Sequence, residues 1–154
     1  MIKPQSNTKG TLDPFYEKFN GSFTSCMRWD DLSAFWDILK HHAQLDCWYI
    51  YAIGEQVPGA PVSSKELLLF ISEIDNLLRK EHDEDYCGIV YADDKAAPTY
   101  VKIYDPGNLG VSCGFSNNPP LPGWVLSIIP PKALENKSVL TQQRKRWWQK
   151  LWTQ

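Results

Sequence analysis

The chain has 154 residues, of which 43% are hydrophobic and 22% are charged, and its formal net charge at pH 7 is −2. A chain of this size is expected to fold as one domain and to bury a core without disulfide or metal staples. The small net charge excludes a strongly basic nucleic-acid-binding class, and no apolar stretch reaches the roughly 18 residues that a membrane-spanning helix needs.

The cysteines and the N-terminal residues indicate a reducing compartment. Cys26, Cys47, Cys87 and Cys113 are far apart, and no two of them have the spacing typical of zinc or thioredoxin-like sites. The N-terminus lacks the apolar stretch of about 7 to 15 residues that marks a secretory signal. We therefore expect a cytoplasmic protein with free thiols, no metal and no cofactor.

The first third of the chain predicts an arm followed by a helix. Residues 1–25 lack apolar periodicity, and we expect an arm that is either flexible or draped over the surface through its aromatic side chains. Residues 29–42 carry apolar side chains at three- and four-residue spacing, which predicts an amphipathic helix. Ser25 is its expected N-cap, and His41 and His42 suit the negative C-terminal end of its dipole.

A buried strand and a second helix follow. Residues 47–53 form a continuous run of aromatic and β-branched side chains, which predicts a strand near the centre of the sheet. Ser63 and Glu66 form a capping box at the start of a helix that ends near Lys80. Because this helix lies between two predicted strands, we expect a βαβ crossover.

The next two strands are predicted to form a hairpin, 86–91 with 99–104. Alternation in the second strand places Tyr100, Lys102 and Tyr104 on one side, which we expect to face solvent. A further strand is expected at 124–129.

The order of elements, α-β-α-β-β-β-α, predicts an α+β domain with a mixed sheet of about four strands and helices packed on it. We divide the chain into an arm at 1–25, a core at 26–137 and a basic, tryptophan-rich C-terminal helix at 138–154 that Ser138 opens.

The loop at 105–123 is rich in glycine and proline, and a long loop of this kind is often functional. Its backbone N–H groups could form a concavity for an anion. The residues predicted to form that site are Gly107, Asn108, Gly110, Ser112 and Gly114. The alternative is an ordinary surface loop whose glycines satisfy turn geometry alone.

Cys113, in the same loop, is the candidate catalytic nucleophile of the sequence. A nucleophilic thiol needs a base, and the three histidines His41, His42 and His82 are the candidates for that role. The alternative is a small side chain packed beneath the loop.

Acidic side chains concentrate in the middle of the chain, at 82–85 and at Asp93 and Asp94. Carboxylates grouped in this way can perform acid–base chemistry or hold a hard cation. The alternative is a solvated face.

The C-terminal helix combines tryptophans with basic side chains. Three indoles bury a large area, either on the chain's own core or on a partner. The residues predicted to bind a partner are Tyr100, Lys102, Tyr104, Arg144, Arg146, Trp147, Trp148, Lys150 and Trp152.

These features favour a small binding or accessory protein that acts through protein–protein interaction. The alternative is a small enzyme or ligand-binding domain with a pocket under the loop at 105–123 that uses Cys113. Nucleic-acid binding ranks third, and a homo-oligomer is compatible with the sequence.

Overall fold

A five-stranded antiparallel sheet with helices against it forms the fold. The computed structural model describes residues 13–42, 46–111, 121–134 and 141–153, and for these it contains four α-helices and five strands. In chain order the elements are α1 Pro14–Phe19, β1 Thr24–Ser25, α2 Trp29–His42, β2 Tyr49–Ala52, α3 Ser64–Glu81, β3 Val90–Ala92, β4 Tyr100–Ile103, a 3-10 helix Pro106–Val111, β5 Trp124–Ser127 and α4 Gln142–Leu151.

Local sequence signals explain the two long helices. Helix α2 has the bounds that its apolar spacing predicts. The capping box of α3 is confirmed, because Ser63 Oγ accepts from the Glu66 N–H at 3.1 Å and Glu66 Oε1 accepts from the Ser63 N–H at 2.9 Å. Ser25 is not the N-cap of α2, since it lies in strand β1; the Asp31 carboxylate instead accepts from the N–H of Arg28, at 3.1 Å.

The sheet order is β1-β3-β4-β5-β2, and every neighbouring pair is antiparallel. The predicted α+β class is confirmed, but the sheet has five strands instead of four and is not mixed. The predicted βαβ crossover is wrong, because α3 connects β2 to β3, and these two strands run in opposite directions whereas a βαβ unit joins parallel strands. The predicted hairpin of β3 and β4 is confirmed.

The composition of strand β2 predicted a position near the centre of the sheet. The strand lies at an edge instead. It is buried nevertheless, because both of its faces are covered. Ile50 and Ala52 belong to the larger core cluster, whereas Tyr51 belongs to the smaller cluster on the other face. Coverage of both faces, and not a central position, explains the apolar run.

Two cores lie on opposite faces of the sheet. The larger one contains the apolar sides of α2 and α3 together with Leu151 of α4. The smaller one packs Phe15 of α1 against Tyr51, Tyr100 and Val125. The part of the predicted arm that the structure describes, 13–25, therefore includes a helix with a buried phenylalanine and a strand of the sheet; 1–12 lie outside the described residues.

The C-terminal helix extends over Gln142–Leu151; Ser138, the predicted start, lies outside the described residues. Thr141 is its N-cap, and the Thr141 hydroxyl accepts from the N–H of Arg144 at 3.1 Å. In the described ranges, none of the helices combines the length and the apolar character that crossing a membrane would require.

Candidate functional site

An aromatic surface lies at the edge of the sheet where strand β1 gives way to helix α2. The backbone pairing of β1 with β3 continues past the strand, since the Cys26 N–H donates to Val90 O at 2.8 Å and the Cys87 N–H donates to Met27 O at 2.8 Å. Helix α2 begins two residues later. This pairing brings the backbone of Met27 to that of Cys87, the residue that follows Tyr86.

The indole of Trp29 forms the centre of this surface. Its Nε1–H donates to Glu84 O at 3.1 Å, which ties the start of α2 to the segment before β3. The His82 ring meets the Trp29 ring edge to face at 6.1 Å between centroids, and it meets the Tyr86 ring in the same way at 6.4 Å. Met27 and Tyr86 are each 52% exposed. We call Met27, Trp29, His82 and Tyr86 the Trp29 surface.

Arg79 of α3 is held against the same indole. Its guanidinium carbon lies 5.1 Å from the centroid of the Trp29 ring. Arg79 Nε donates to Asp75 Oδ1 at 2.8 Å and Nη2 donates to Ser33 Oγ at 2.8 Å. These bonds fix the guanidinium and pair its charge, so the ring already stacks with one cation that belongs to the protein.

A shallow depression of about 390 Å³ adjoins the Trp29 surface. Its lining residues are Arg28, Trp29, Asp30 and Asp85. Arg28 and Asp30 are in contact only at 4.0 Å, and their side chains are 77% and 93% exposed. An exposed pair of this kind is worth little and is easily rearranged.

The surroundings of this depression are negatively charged. Asp83, Glu84 and Asp85 are exposed, and none of the ion pairs among the described residues includes them. The positive charges of Arg28 and Arg79 are offset by Asp30 and Asp75. The local field is therefore acidic.

The predicted nucleophile Cys113 lies outside the described residues, so its pairing with a histidine base stays a prediction. His41 is exposed, and His42 Nδ1 lies 2.9 Å from Ile38 O of its own helix. His82 Nε2 lies 3.0 Å from Cys87 O, so its ring also has a structural partner.

The predicted anion site lies partly within the described residues. Gly107 and Asn108 do not offer free N–H groups, since the first donates to Asp105 Oδ1 at 2.9 Å and the second to Asp105 O at 3.0 Å. Gly110 lies in the 3-10 helix. Ser112 and Gly114 lie outside the described residues.

Arg144 is an internal ion-pair residue and not the surface contact that the sequence predicted. Its side chain is 8% exposed and lies between two carboxylates. Nη2 donates to Glu81 Oε1 at 2.7 Å and to Asp105 Oδ1 at 2.8 Å. Hydrogen bonding from Arg144 lowers the pKa of Glu81 below its ordinary value. The arrangement fastens α4 to the end of α3 and to the loop after β4.

The tryptophans of α4 are directed at the chain's own core. The Trp147 ring packs edge to face on buried Trp124 at 5.6 Å, and the Trp148 ring packs on Phe70 at 6.3 Å. Trp152 packs on Trp148 at 5.2 Å. Of the nine residues predicted to bind a partner, the two that are exposed are Arg146 and Lys150.

The sequence predicted that the side chains of Tyr100, Lys102 and Tyr104 face solvent. This is wrong for Tyr100, which is fully buried. Helix α1 covers this side of the sheet, and its Phe15 ring packs on the Tyr100 ring at 5.2 Å between centroids. Lys102 is half-buried; its Nζ donates to Phe19 O at 2.7 Å and lies 4.0 Å from the Phe19 ring centroid. Burial lowers the pKa of Lys102 to about 8. Tyr104 is half-buried against Tyr91.

Asp93 is a structural carboxylate and not part of a solvated acidic face. It accepts from the N–H groups of Thr99 at 2.9 Å and Tyr100 at 3.1 Å and pairs with Lys18 Nζ at 2.9 Å. Burial acts to raise the pKa of Asp93, but these hydrogen bonds outweigh it and the pKa is lowered. Asp94 is exposed and accepts from the N–H of Ala96.

Comparison with known protein families, curated proteins and solved structures returned no match to this chain. Within the described ranges, no three histidine, cysteine, aspartate or glutamate side chains are grouped closely enough to hold a metal ion. The Trp29 surface was missed at the sequence level because Trp29 fits the apolar side of α2 and Tyr86 fits the start of a strand. The signal that could have revealed it is the acidic run before Tyr86, which makes a buried strand start there improbable.

Proposed function

We propose that this protein is a binding module that acts through protein–protein interaction and that its contact region is the Trp29 surface. The observation that carries the proposal is the exposure of two large apolar side chains, Met27 and Tyr86, each 52% exposed, in one region: the Met27 carbonyl accepts from the N–H of Cys87, the residue after Tyr86. Exposed apolar patches on folded domains commonly mark interaction sites. Tryptophan, tyrosine and arginine supply most of the binding energy in protein interfaces.

The grouping distinguishes this region from the other exposed apolar side chains of the described residues. Tyr16, Leu68 and Ile128 lie on α1, on α3 and after β5, and their exposed fractions are lower, at 37%, 42% and 39%. The Tyr16 hydroxyl also has an internal partner, Ala133 O at 2.8 Å. Single exposed apolar residues are normal in soluble domains, whereas adjacent ones are less expected.

Part of the surface is held by the chain's own bonds. The Cys87–Met27 backbone bond holds the Met27 backbone, and the Trp29 Nε1 bond to Glu84 O and the Arg79 contacts hold Trp29. A preorganised surface loses less conformational entropy on binding, which favours affinity.

Affinity capture from the native host tests the proposal. The double variant Met27→Ser/Tyr86→Ser is compared with the full-length protein and with the matched control Leu68→Ser/Ile128→Ser, and circular dichroism verifies that all three are folded. We expect the partner to be lost from the first variant alone and its direct binding, measured with the purified partner, to weaken about tenfold or more. Equal capture by both double variants would place the contact elsewhere.

A further inference from the structure

The depression beside Trp29 combines an aromatic residue with two acidic ones, and together these suit a planar cation. Its lining residues include Trp29 and the two acidic residues Asp30 and Asp85. Cations are attracted to the faces of tryptophan rings, and carboxylates accept charge-assisted hydrogen bonds. The contact of Arg79 with the same ring shows that this indole accepts a guanidinium.

The charge balance around the Trp29 surface selects a basic occupant. Asp83, Glu84 and Asp85 are exposed beside Tyr86, and no ion pair among the described residues involves them. An acidic or neutral segment would meet repulsion or leave these charges unpaired, whereas a basic one would be attracted and correctly oriented. Apolar contact with Met27 and Tyr86 would add the non-polar part of the interaction.

Resting on the proposed function, we propose that the Trp29 surface binds an arginine-bearing segment of a partner protein, with the arginine side chain seated between Trp29, Asp30 and Asp85. Arginine fits better than lysine because its planar guanidinium stacks on an indole and pairs with a carboxylate through two parallel hydrogen bonds. Leucine-type neighbours in the same segment contact Met27 and Tyr86.

Arg28 has a defined role in this scheme. It is the lining residue with a positive charge, and its contact with Asp30, at 4.0 Å, is long and exposed. An incoming arginine competes with Arg28 for Asp30. Removal of the Arg28 charge is therefore expected to strengthen binding, a result that a purely structural role would not produce.

The test uses the full-length protein and a fluorescein-labelled nine-residue peptide, Gly-Leu-Arg-Ala-Leu-Arg-Ala-Leu-Gly. Matched peptides replace both arginines by citrulline, which keeps the shape without the charge, by lysine or by glutamate. Fluorescence anisotropy gives the affinity, and the NMR signals of the Trp29 indole N–H and the Met27 methyl group report the place of binding.

We expect the arginine peptide to bind and to shift both signals, with about tenfold weaker binding for the citrulline peptide and for Asp85→Asn. Arg28→Gln is expected to bind about threefold more tightly, because one competing charge is removed. Asp37→Asn, which removes an exposed carboxylate elsewhere on α2, is the charge-matched control and is expected to change little.

The outcomes separate this inference from the proposed function. Equal binding of arginine and citrulline peptides at the Trp29 signals would overturn the arginine inference and leave the binding surface in place. Absence of any shift with the arginine peptide would also overturn it, while the capture experiment decides the proposed function. The NMR shifts could instead depend on protein concentration alone and disappear in Arg146→Glu/Lys150→Glu. That result would overturn the arginine inference and identify a second copy of the chain as the occupant.

Discussion

Arg144 donates two parallel hydrogen bonds to the Asp105 carboxylate, from Nε to Oδ2 at 2.8 Å and from Nη2 to Oδ1 at 2.8 Å. Both side chains are less than 10% exposed, at 8% and 9%. Removing one partner of a buried pair leaves the other charge buried and uncompensated. We therefore predict that Arg144→Met lowers the free energy of unfolding by about 3 kcal/mol, measured by urea denaturation.

The matched control for that variant lies two residues along the same helix. Arg146 is exposed, and Arg146→Met is expected to change the free energy of unfolding by less than about 0.5 kcal/mol. If both variants were equally stable, the ion pair would not fasten the C-terminal helix.

Asp93 predicts a pH dependence of stability. Its pKa in the folded protein is lowered from the ordinary value of 3.8, and burial, which acts to raise it, is outweighed by the bonds from Thr99, Lys18 and Tyr100. A carboxylate of this kind contributes stability above its unfolded pKa and loses that contribution as the pH falls toward its folded pKa.

We therefore expect the free energy of unfolding of the protein to fall more steeply below about pH 4 than that of Asp93→Asn. Urea titrations at a series of pH values measure the two slopes, and Asp94→Asn, at an exposed neighbour, is the control. Parallel slopes for all three proteins would show that Asp93 does not carry the effect.

The buried cysteines are expected to resist alkylation. Burial raises the pKa of Cys26 to about 12 and also raises that of Cys87. Only the thiolate reacts, so both should stay unmodified by iodoacetamide at pH 8 until the protein unfolds. Mass spectrometry of the labelled peptides locates the modification.

The same experiment examines the enzyme alternative. Rapid alkylation at Cys113 below pH 7, faster than at half-buried Cys47, would indicate an activated thiol. Labelling of Cys26 or Cys87 in the folded protein would contradict the packing described above.

Trp147 and Trp148 are expected to contribute to stability through the chain's own core. Their contacts with Trp124 and Phe70 would be lost in the alanine variants. Each substitution should lower the free energy of unfolding by about 2 kcal/mol, which is less than for a fully buried tryptophan, because each indole is half-exposed. Gln149→Ala, on the exposed side of the helix, is the control in thermal or urea unfolding. Loss of a partner without loss of stability would instead assign these indoles to an interface.

The elements with local signals could be predicted from the sequence. Helix α2 follows from a spacing that repeats within one helix, and the start of α3 follows from the hydrogen bonds of Ser63 and Glu66, three residues apart. The edge position of β2 could not be predicted, because pairing with β5 joins Tyr49 to Ser127, and such register is a non-local property.

The site depended on contacts between distant residues. From the sequence alone, Arg144 is expected to be an exposed basic side chain. Its ion pairs with Glu81 and Asp105 explain why it is buried. Likewise, Met27 and the segment of Tyr86 are far apart in the chain, and the backbone bond from the Cys87 N–H to Met27 O brings them into one region. The sequence therefore predicts an exposed Arg144 that the structure buries, and it does not reveal the Trp29 surface.

Hydroxyl-radical footprinting tests the central claim, that Met27 and Tyr86 are covered by a partner in the native host. Oxidation of these two side chains is compared between the purified protein and the protein in native extract, with exposed Tyr16 as an internal reference. We expect Met27 and Tyr86 to be protected severalfold in extract while Tyr16 is unchanged. Equal oxidation of all three residues in both samples would contradict the account.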